Sequence, residues 1–426
     1  MVNVIVPAIG NEISVVQSIK DRAGEVNKKI TSEVKTIMDD VRERGWEATV
    51  AYSLKFDGAE PYEVSKEDIE KAAAKCPKDL YASMEKAARN IKDYQSRLMP
   101  EGKVWNVSGG KLGQLVRGLS KVGVYVPGGT AAYPSSVLMC AVPAQVAGVE
   151  EITLVTPPTK NLNEAVMAAA KIAGVHRVIA IGGAQAIASL TYGAGIVPKV
   201  DKVVGPGNAY VAAAKKLAFG ELDIDMVAGP SEILIIADER ANPVYCAADL
   251  LGQAEHDALS ASILVTNSGE LAKAVNAELK RQIDKLSRQN TIRKSLADYG
   301  AIIVVEDLDK AVMVTNAVAP EHLEILTGDP WQLMPKIKNA GAIFLGESSP
   351  EPLGDYLAGP SHVLPTAGTA RFFSPLSVES FIKRTSVIEY TRQGLRGISQ
   401  DIIRFAEAEG LGAHANSVRV RFEKGN

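Results

Sequence analysis

The chain is 426 residues long, 46% apolar and 23% charged, with a formal net charge of −3. That length exceeds what a single hydrophobic core organises, and the near-neutral charge offers no basic footprint for nucleic acid. No apolar run approaches the roughly 20 residues of a membrane span, and "MVNVIVPAIGNEIS" lacks the basic start of a signal peptide, so a cytoplasmic protein without membrane partners is expected.

Through about Leu98 the pattern is helical. Asp57-Gly58 closes one helical stretch, and Ser65 with Asp68 opens another at capping-box spacing. From Val122 the rhythm changes to short β-branched runs: "VGVYVP", "EITLVTPP", "HRVIAIGG", "DKVVGPG", "EILIIAD", "ASILVTN", "AIIVVED" and "GAIFLG". Between them lie amphipathic stretches such as "NLNEAVMAAAKIAG" and "GELAKAVNAELKRQIDKL". Strands alternating with helices of that length predict βαβ units and parallel sheet. There are too many runs for one small sheet, so two α/β domains are expected, with "DMVAGPSE" (225–232) as the crossing. Beyond about Pro375 the strand rhythm stops and the tail reads as mainly helical.

The chain has only five histidines. Four stand beside a carboxylate, an amide or a glycine-rich turn: His256 in "GQAEHD", His322 in "APEHLEI", His362 in "AGPSHVLPT" and His414 in "GLGAH". His176, in "AGVHRVIA", sits at an ordinary helix-to-strand junction and reads as a surface residue. Gln253 and His256, three residues apart, share one side of a helix that Asn242 and Pro243 are suited to start. The pair reads either as an oxygen and a nitrogen ligand for zinc or as a hydrated helix face; Asp355 and His414 are candidates for further ligands. Glu321 beside His322 offers a carboxylate and an imidazole suited to proton transfer near neutral pH, or two polar side chains on a solvated loop. "GGAQAIASLTYG" and "VGPGNAYVAAAKK" each place a glycine turn between strand and helix. Backbone N–H groups there can approach a phosphate, although neither is GxGxxG and close helix–strand packing accounts for them as well. Cys76, Cys140 and Cys246 are far apart and form no CxxC pair. No basic neighbour activates Cys140, so the cysteines read as packing residues.

With these segments in hand, the chain resembles the histidinol dehydrogenase family over nearly its whole length. The resemblance rests on "YVPGGTAAYPSSVLM", "IGGAQAIASLTYG", "VGPGNAYVAAAKK", "DMVAGPSEILIIAD", "DLLGQAEHD", "APEHLEI", "SPEPLGDYLAGPSHVLPT" and "EAEGLGAH". It implies zinc- and NAD-dependent four-electron oxidation of L-histidinol to L-histidine through the aldehyde, the last steps of histidine biosynthesis. By the same resemblance, one zinc ion per subunit is held by Gln253, His256, Asp355 and His414, and Glu321 and His322 are the catalytic pair. Substrate contacts fall to Ser231, His362 and Glu409, with Gln253, His256, His322, Asp355 and His414 also touching substrate. NAD contacts fall to Tyr125, Gln185 and Asn208. Ser361 departs from the family pattern, in which Asn commonly precedes the histidine.

The implied assembly is a homodimer whose active site is shared between subunits. The implied architecture is α/β: two Rossmann-like parallel-sheet domains with helical N-terminal and C-terminal extensions, in an aldehyde-dehydrogenase-like multi-domain arrangement. Its expected division is an N-terminal helical extension (1–24), a larger α/β domain (25–124 plus 231–376), an α/β domain with NAD contacts (125–230), and a C-terminal helical tail (377–426) reaching the partner. The alternatives are a paralogous zinc and NAD dehydrogenase of another small alcohol such as a sulfonated diol, a zinc hydrolase that ignores NAD, and an inactive binding protein.

Overall fold

A computed structural model describes residues 3–5, 28–128, 133–159 and 162–423. Its strands, in chain order, are β1 (Asn3–Ile5), β2 (Tyr62–Glu63), β3 (Lys103–Val107), β4 (Gly110–Gly118), β5 (Lys121–Tyr125), β6 (Glu151–Thr156), β7 (Arg177–Ala180), β8 (Lys202–Val204) and β9 (Asp223–Ile224). They continue as β10 (Glu232–Ala237), β11 (Ala261–Thr266), β12 (Ala301–Val304), β13 (His322–Leu326), β14 (Ala342–Leu345) and β15 (Ile382–Tyr390). These form two six-stranded sheets, ordered β1-β12-β11-β10-β13-β14 and β2-β7-β6-β5-β8-β9, and one three-stranded sheet, β15-β4-β3.

The first sheet is parallel throughout; the second is parallel except for its antiparallel edge strand β2. The expected pair of parallel-sheet α/β halves is therefore present. "EILIIA" and "ASILVT" are nearly continuous apolar runs because helices cover both faces of their sheet, and after the first residue of each every position is buried. Side-chain oxygens of Asn163, Asn208, Asn242, Ser268 and Asp307 cap the helices that follow, each accepting a first-turn backbone N–H.

The described residues fall into two compact units. One comprises residues up to Leu98 together with Leu119–Phe381; the other comprises Met99–Gly118 with the chain from Ile382 onward. Three parts of the expected division differ from this. Of the segment 1–24, Asn3–Ile5 forms a strand paired with β12 rather than helix, and the remainder lies outside the described residues. The helices between Lys28 and Leu98, expected with 231–376, pack on the helices of the second sheet instead. Val34, Ile37, Met38 and Val41 join the core of Ile187, Leu190 and Val211. Finally, the tail from 377 is not a purely helical extension. β15 is nine residues long and pairs antiparallel with β4, whose own partner is β3 across the Ser108-Gly109 turn. That pairing joins segments more than 260 residues apart, as Ile382 opposite Gly118 illustrates, so no local period announced it. In the same unit, helices Arg392–Ala408 and Gly412–Arg419 close over a small core of Ile403, Ala406, Ala415 and Val418. No helix among the described residues is long and apolar enough to cross a membrane.

Candidate metal and catalytic site

The helix Pro243–Ala254 starts on Asn242, as its sequence predicts, and runs antiparallel to β10 to finish near the strand starts. Gln253 lies in its last turn and is fully buried, yet neither Oε1 nor Nε2 has a hydrogen-bond partner. A buried carboxamide left unpaired costs on the order of 1–3 kcal/mol per group, so a further ligand is the natural partner for it. His256 falls just beyond the helix, its backbone N–H bonded to the Gln253 carbonyl at 3.2 Å, and its side chain is exposed. The predicted pair thus stands one turn apart, with the histidine on the turn rather than in the helix.

His256 shares its surroundings with Asp355 and Glu351. One ligand atom from each of these three lies within 4.8 Å of the others, the one such cluster among the described residues. Glu351 and Asp355 sit four apart on the short helix Glu351–Tyr356, hence on one face of it. Gly354 between them leaves room for the Phe344 ring, which a Cβ there would meet at 2.7 Å and displace. Glu351 was not singled out in the sequence. The signal that could have found it is this same spacing within "EPLGD".

Glu321 and His322 converge although adjacent. Ala319, left-handed at φ 55°, ends the preceding helix, and Pro320 carries the chain into the sheet. His322 is then the first residue of β13, between β10 and β14, so Glu321 precedes the strict alternation of a strand. Both side chains are buried, at 5% and 4% exposure, with 3.7 Å between Glu321 Oε2 and His322 Nδ1. The sequence left "PEHLE" open between a proton-transfer pair and a solvated loop. The burial excludes the solvated loop.

The hydrogen bonds also fix the histidine tautomer. His322 Nδ1 lies 3.3 Å from the Glu232 carbonyl, which can only accept, so Nδ1 carries the proton and Nε2 keeps its lone pair. Nε2 is buried without a hydrogen-bond partner, 3.8 Å from Glu351 and 3.9 Å from Asp355. Burial lowers the imidazole pKa to about 4, against the opposing field of Asp355. The Glu232 N–H donates to Glu321 Oε2 at 3.0 Å, yet burial still pushes the Glu321 carboxyl well above the usual glutamate range. Burial likewise raises Glu351, to about 8, with the charges of Asp355, Asp249 and Glu255 adding to the effect.

His362 donates from Nδ1 to the Asp355 carbonyl at 3.1 Å, and its Nε2 is 3.3 Å from Ser136 Oγ. Ser136, in the first turn of the helix Pro134–Val146, is a contact that sequence reasoning did not name. Ser231 immediately precedes β10 and is half-buried. Ser361 is buried and accepts the Val363 N–H at 3.1 Å. Glu409 and His414 belong to the second compact unit, where both are exposed, Glu409 closing one helix and His414 lying in the next.

The three candidate cofactor contacts gather at the opposite end of the other sheet. Tyr125 ends β5 and its hydroxyl accepts the Gly183 N–H at 3.2 Å. Gln185 lies in the first turn of the helix Gly183–Tyr192 and donates from Nε2 to Asp57 at 3.1 Å, and Asp57 also takes the Gly182 N–H. Asn208 caps the helix Ala209–Ala218 with its Oδ1. His176 is exposed, as its position suggested, and its Nδ1 accepts the Ile152 N–H at 3.0 Å. All three cysteines are buried and free, and burial raises each thiol above its ordinary value, which leaves no thiolate nucleophile.

A family model described as histidinol dehydrogenase matches residues 20–422. The histidinol dehydrogenase of Clostridium acetobutylicum is 52% identical over 412 residues, covering 96% of each chain. That of Caldanaerobacter subterraneus subsp. tengcongensis is 50% identical over 418 residues, covering 96% of this chain and 97% of its own. The crystal structure of histidinol dehydrogenase from Elizabethkingia anophelis superposes with a TM-score of 0.93 at 36% identity, over 99% of this chain and 98% of that one. The chain belongs to the histidinol dehydrogenase family, the oxidoreductases that convert histidinol to histidine in histidine biosynthesis.

Proposed function

We propose that the protein oxidises L-histidinol to L-histidine through the aldehyde, in the cytoplasm, with one Zn2+ per subunit and two molecules of NAD reduced per turnover. The observation that carries the metal reading is Gln253: its carboxamide is fully buried with neither end paired, next to Gly252, where an added Cβ would meet the Glu351 carboxyl at 3.8 Å. With His256 and Asp355 converging nearby, the donor set is neutral nitrogen, amide oxygen and carboxylate, which suits zinc. Gln253, His256 and Asp355 would hold the ion. His414 would complete the set and Glu409 would contact substrate, both acting across a homodimer.

Bound zinc supplies a template and a Lewis acid for the amine and imidazole of histidinol, and bound NAD takes up hydride in each oxidation. The remaining steps belong to the chain. His322, neutral at pH 7 and held through Nδ1, takes the carbinol proton on Nε2 as the C–H bond is broken. Glu321 then activates the water that adds to the aldehyde, and His322 takes the hydrate proton in the second oxidation. The water oxygen ends in the carboxylate of histidine, and four electrons leave as two hydrides. Ser231 and His362, the latter fixed by Asp355 and Ser136, orient the substrate, while Tyr125, Gln185 and Asn208 contact NAD. No activated cysteine is required.

The test is the ratio of NADH formed to L-histidinol consumed, before and after chelation and zinc add-back. Two NADH per substrate, abolished by the chelator and restored by zinc, is the expected result. Turnover that survives complete removal of metal would overturn the zinc assignment, and a ratio of one would overturn the four-electron reaction.

A further inference from the structure

Behind the site lies a pair of acidic side chains that the mechanism does not use. Glu324 is two residues beyond His322 on β13 and so points to the same face of the sheet. That face is the one covered by Pro243–Ala254: Leu326 packs there with Leu250 and Leu251, whereas Leu323 and Ile325 belong to the core on the other side. A glutamate in the middle of a central strand with no exposed surface is costly unless bonded.

Its Oε1 accepts the backbone N–H of Glu351 at 2.9 Å. That N–H opens the Glu351–Tyr356 helix, for which Pro350 supplies no side-chain cap. Its Oε2 accepts from no N–H or hydroxyl donor, which leaves the neighbouring carboxyl of Asp249, on the helix that covers this face, to partner it. Two carboxyl groups bond only if one holds a proton. Burial raises both carboxyls, Asp249 to about 6 and Glu324 well above the usual glutamate range, so the pair can hold that proton between them. Asp249 is in turn one helical turn before Gln253.

We propose that the buried Glu324 and the half-buried Asp249 form a hydrogen-bonded brace that positions the metal-binding residues relative to His322. The brace joins three segments distant in sequence: the strand that starts with His322, the helix whose last turn holds Gln253, and the helix that bears Glu351 and Asp355. Neither member belongs to the His256, Glu351 and Asp355 cluster; both are positioning residues. The inference rests on the zinc reading above, and its test separates the two.

The full-length enzyme would be compared with E324Q, D249N, E324L and D249L. Gln and Asn preserve a hydrogen-bonded pair and the acceptor for the Glu351 N–H, whereas Leu fills the volume and removes the bonds. Two quantities are read: the rate of zinc transfer to a chelator, and amide hydrogen exchange of peptides spanning 249–257 and 349–357 in the metal-depleted protein. The brace predicts zinc loss at least tenfold faster in both Leu variants and within about threefold of wild type in E324Q and D249N. It also predicts that each Leu substitution speeds exchange in both peptides, including the one on the element that was not mutated. Leu variants that keep zinc and protection would overturn the proposal, as would E324Q behaving like E324L. Should E324L fail to fold, D249L against D249N separates the same two outcomes. A wild-type protein that takes up no zinc refutes the metal reading, while the exchange measurement still decides the brace.

Discussion

The two six-stranded sheets have similar strand counts and connectivity but expose their polar side chains at opposite ends. In the sheet of β5–β9, the residues proposed for NAD lie at the carboxyl ends of the strands: Tyr125 ends β5, and Gln185 and Asn208 open the helices after β7 and β8. That is the usual crevice of an open parallel sheet, where helix N-termini gather. In the sheet of β10–β14 the reverse holds. Ser231, Glu321 and His322 stand at the strand starts, and Gln253 is at the carboxyl end of a helix. Helix N-termini favour phosphate, whereas the edge where helices finish presents carbonyl oxygens and negative partial charge. Carbonyls there anchor the histidines: Glu232 holds His322 and Asp355 holds His362. An edge of this kind suits a cation and a substrate bearing an amine, and the opposite edge of the companion sheet suits an anionic dinucleotide.

Substitutions can break or sharpen that division. The largest effect is expected for His322→Asn, which should depress both oxidations by roughly 10²–10⁴-fold, the usual contribution of a positioned base; stopped-flow NADH formation from histidinol and from the aldehyde would read each step. Next, Gln253→Ala or His256→Ala should leave purified protein with well under one zinc per subunit while NAD binding persists. Metal analysis alongside NAD titration checks this, and unchanged zinc would remove those residues from the ligand set.

Glu321→Gln should slow aldehyde oxidation by about 10²-fold and spare the alcohol step. Because burial raises the Glu321 carboxyl, the wild-type aldehyde rate should fall with decreasing pH at a higher pH than an ordinary glutamate would give: the active form is the carboxylate, and protonation removes it. The variant should lack that acid limb. On the other sheet, Gln185→Ala should raise KM for NAD several-fold, the scale of one hydrogen bond, with zinc content unaltered. Loss of metal in that variant would show that the two edges are not separable. The smallest effect is expected for Ser136→Ala, a few-fold rise in KM for histidinol, since it removes one 3.3 Å contact to His362 and leaves the Asp355 carbonyl to hold the ring.

Much of the framework was legible because its signals are local. β-branched runs between amphipathic stretches specify βαβ units, and Ser65 and Asn242 mark helix starts through their own side chains. β13 was harder to read: Glu324 interrupts "HLEIL", and a buried glutamate violates the apolar pattern by which a central strand is recognised. "PEHLE" therefore kept two readings until the strand placed it. The three-stranded sheet escaped notice because β15 meets the local β3–β4 hairpin only through residues more than 260 positions away in the chain.

By itself, then, the sequence determined the α/β class, the helix starts at Ser65 and Asn242 and a set of candidate site residues, because propensity, periodicity and residue type are properties of short windows. Only the tertiary structure decided that Glu351 joins His256 and Asp355, that Glu324 lies buried behind them against the Glu351 backbone, and which end of each sheet carries its candidate residues. Those outcomes depend on burial and on which strands become neighbours, and both are set by the packing of the whole chain rather than by any segment of it.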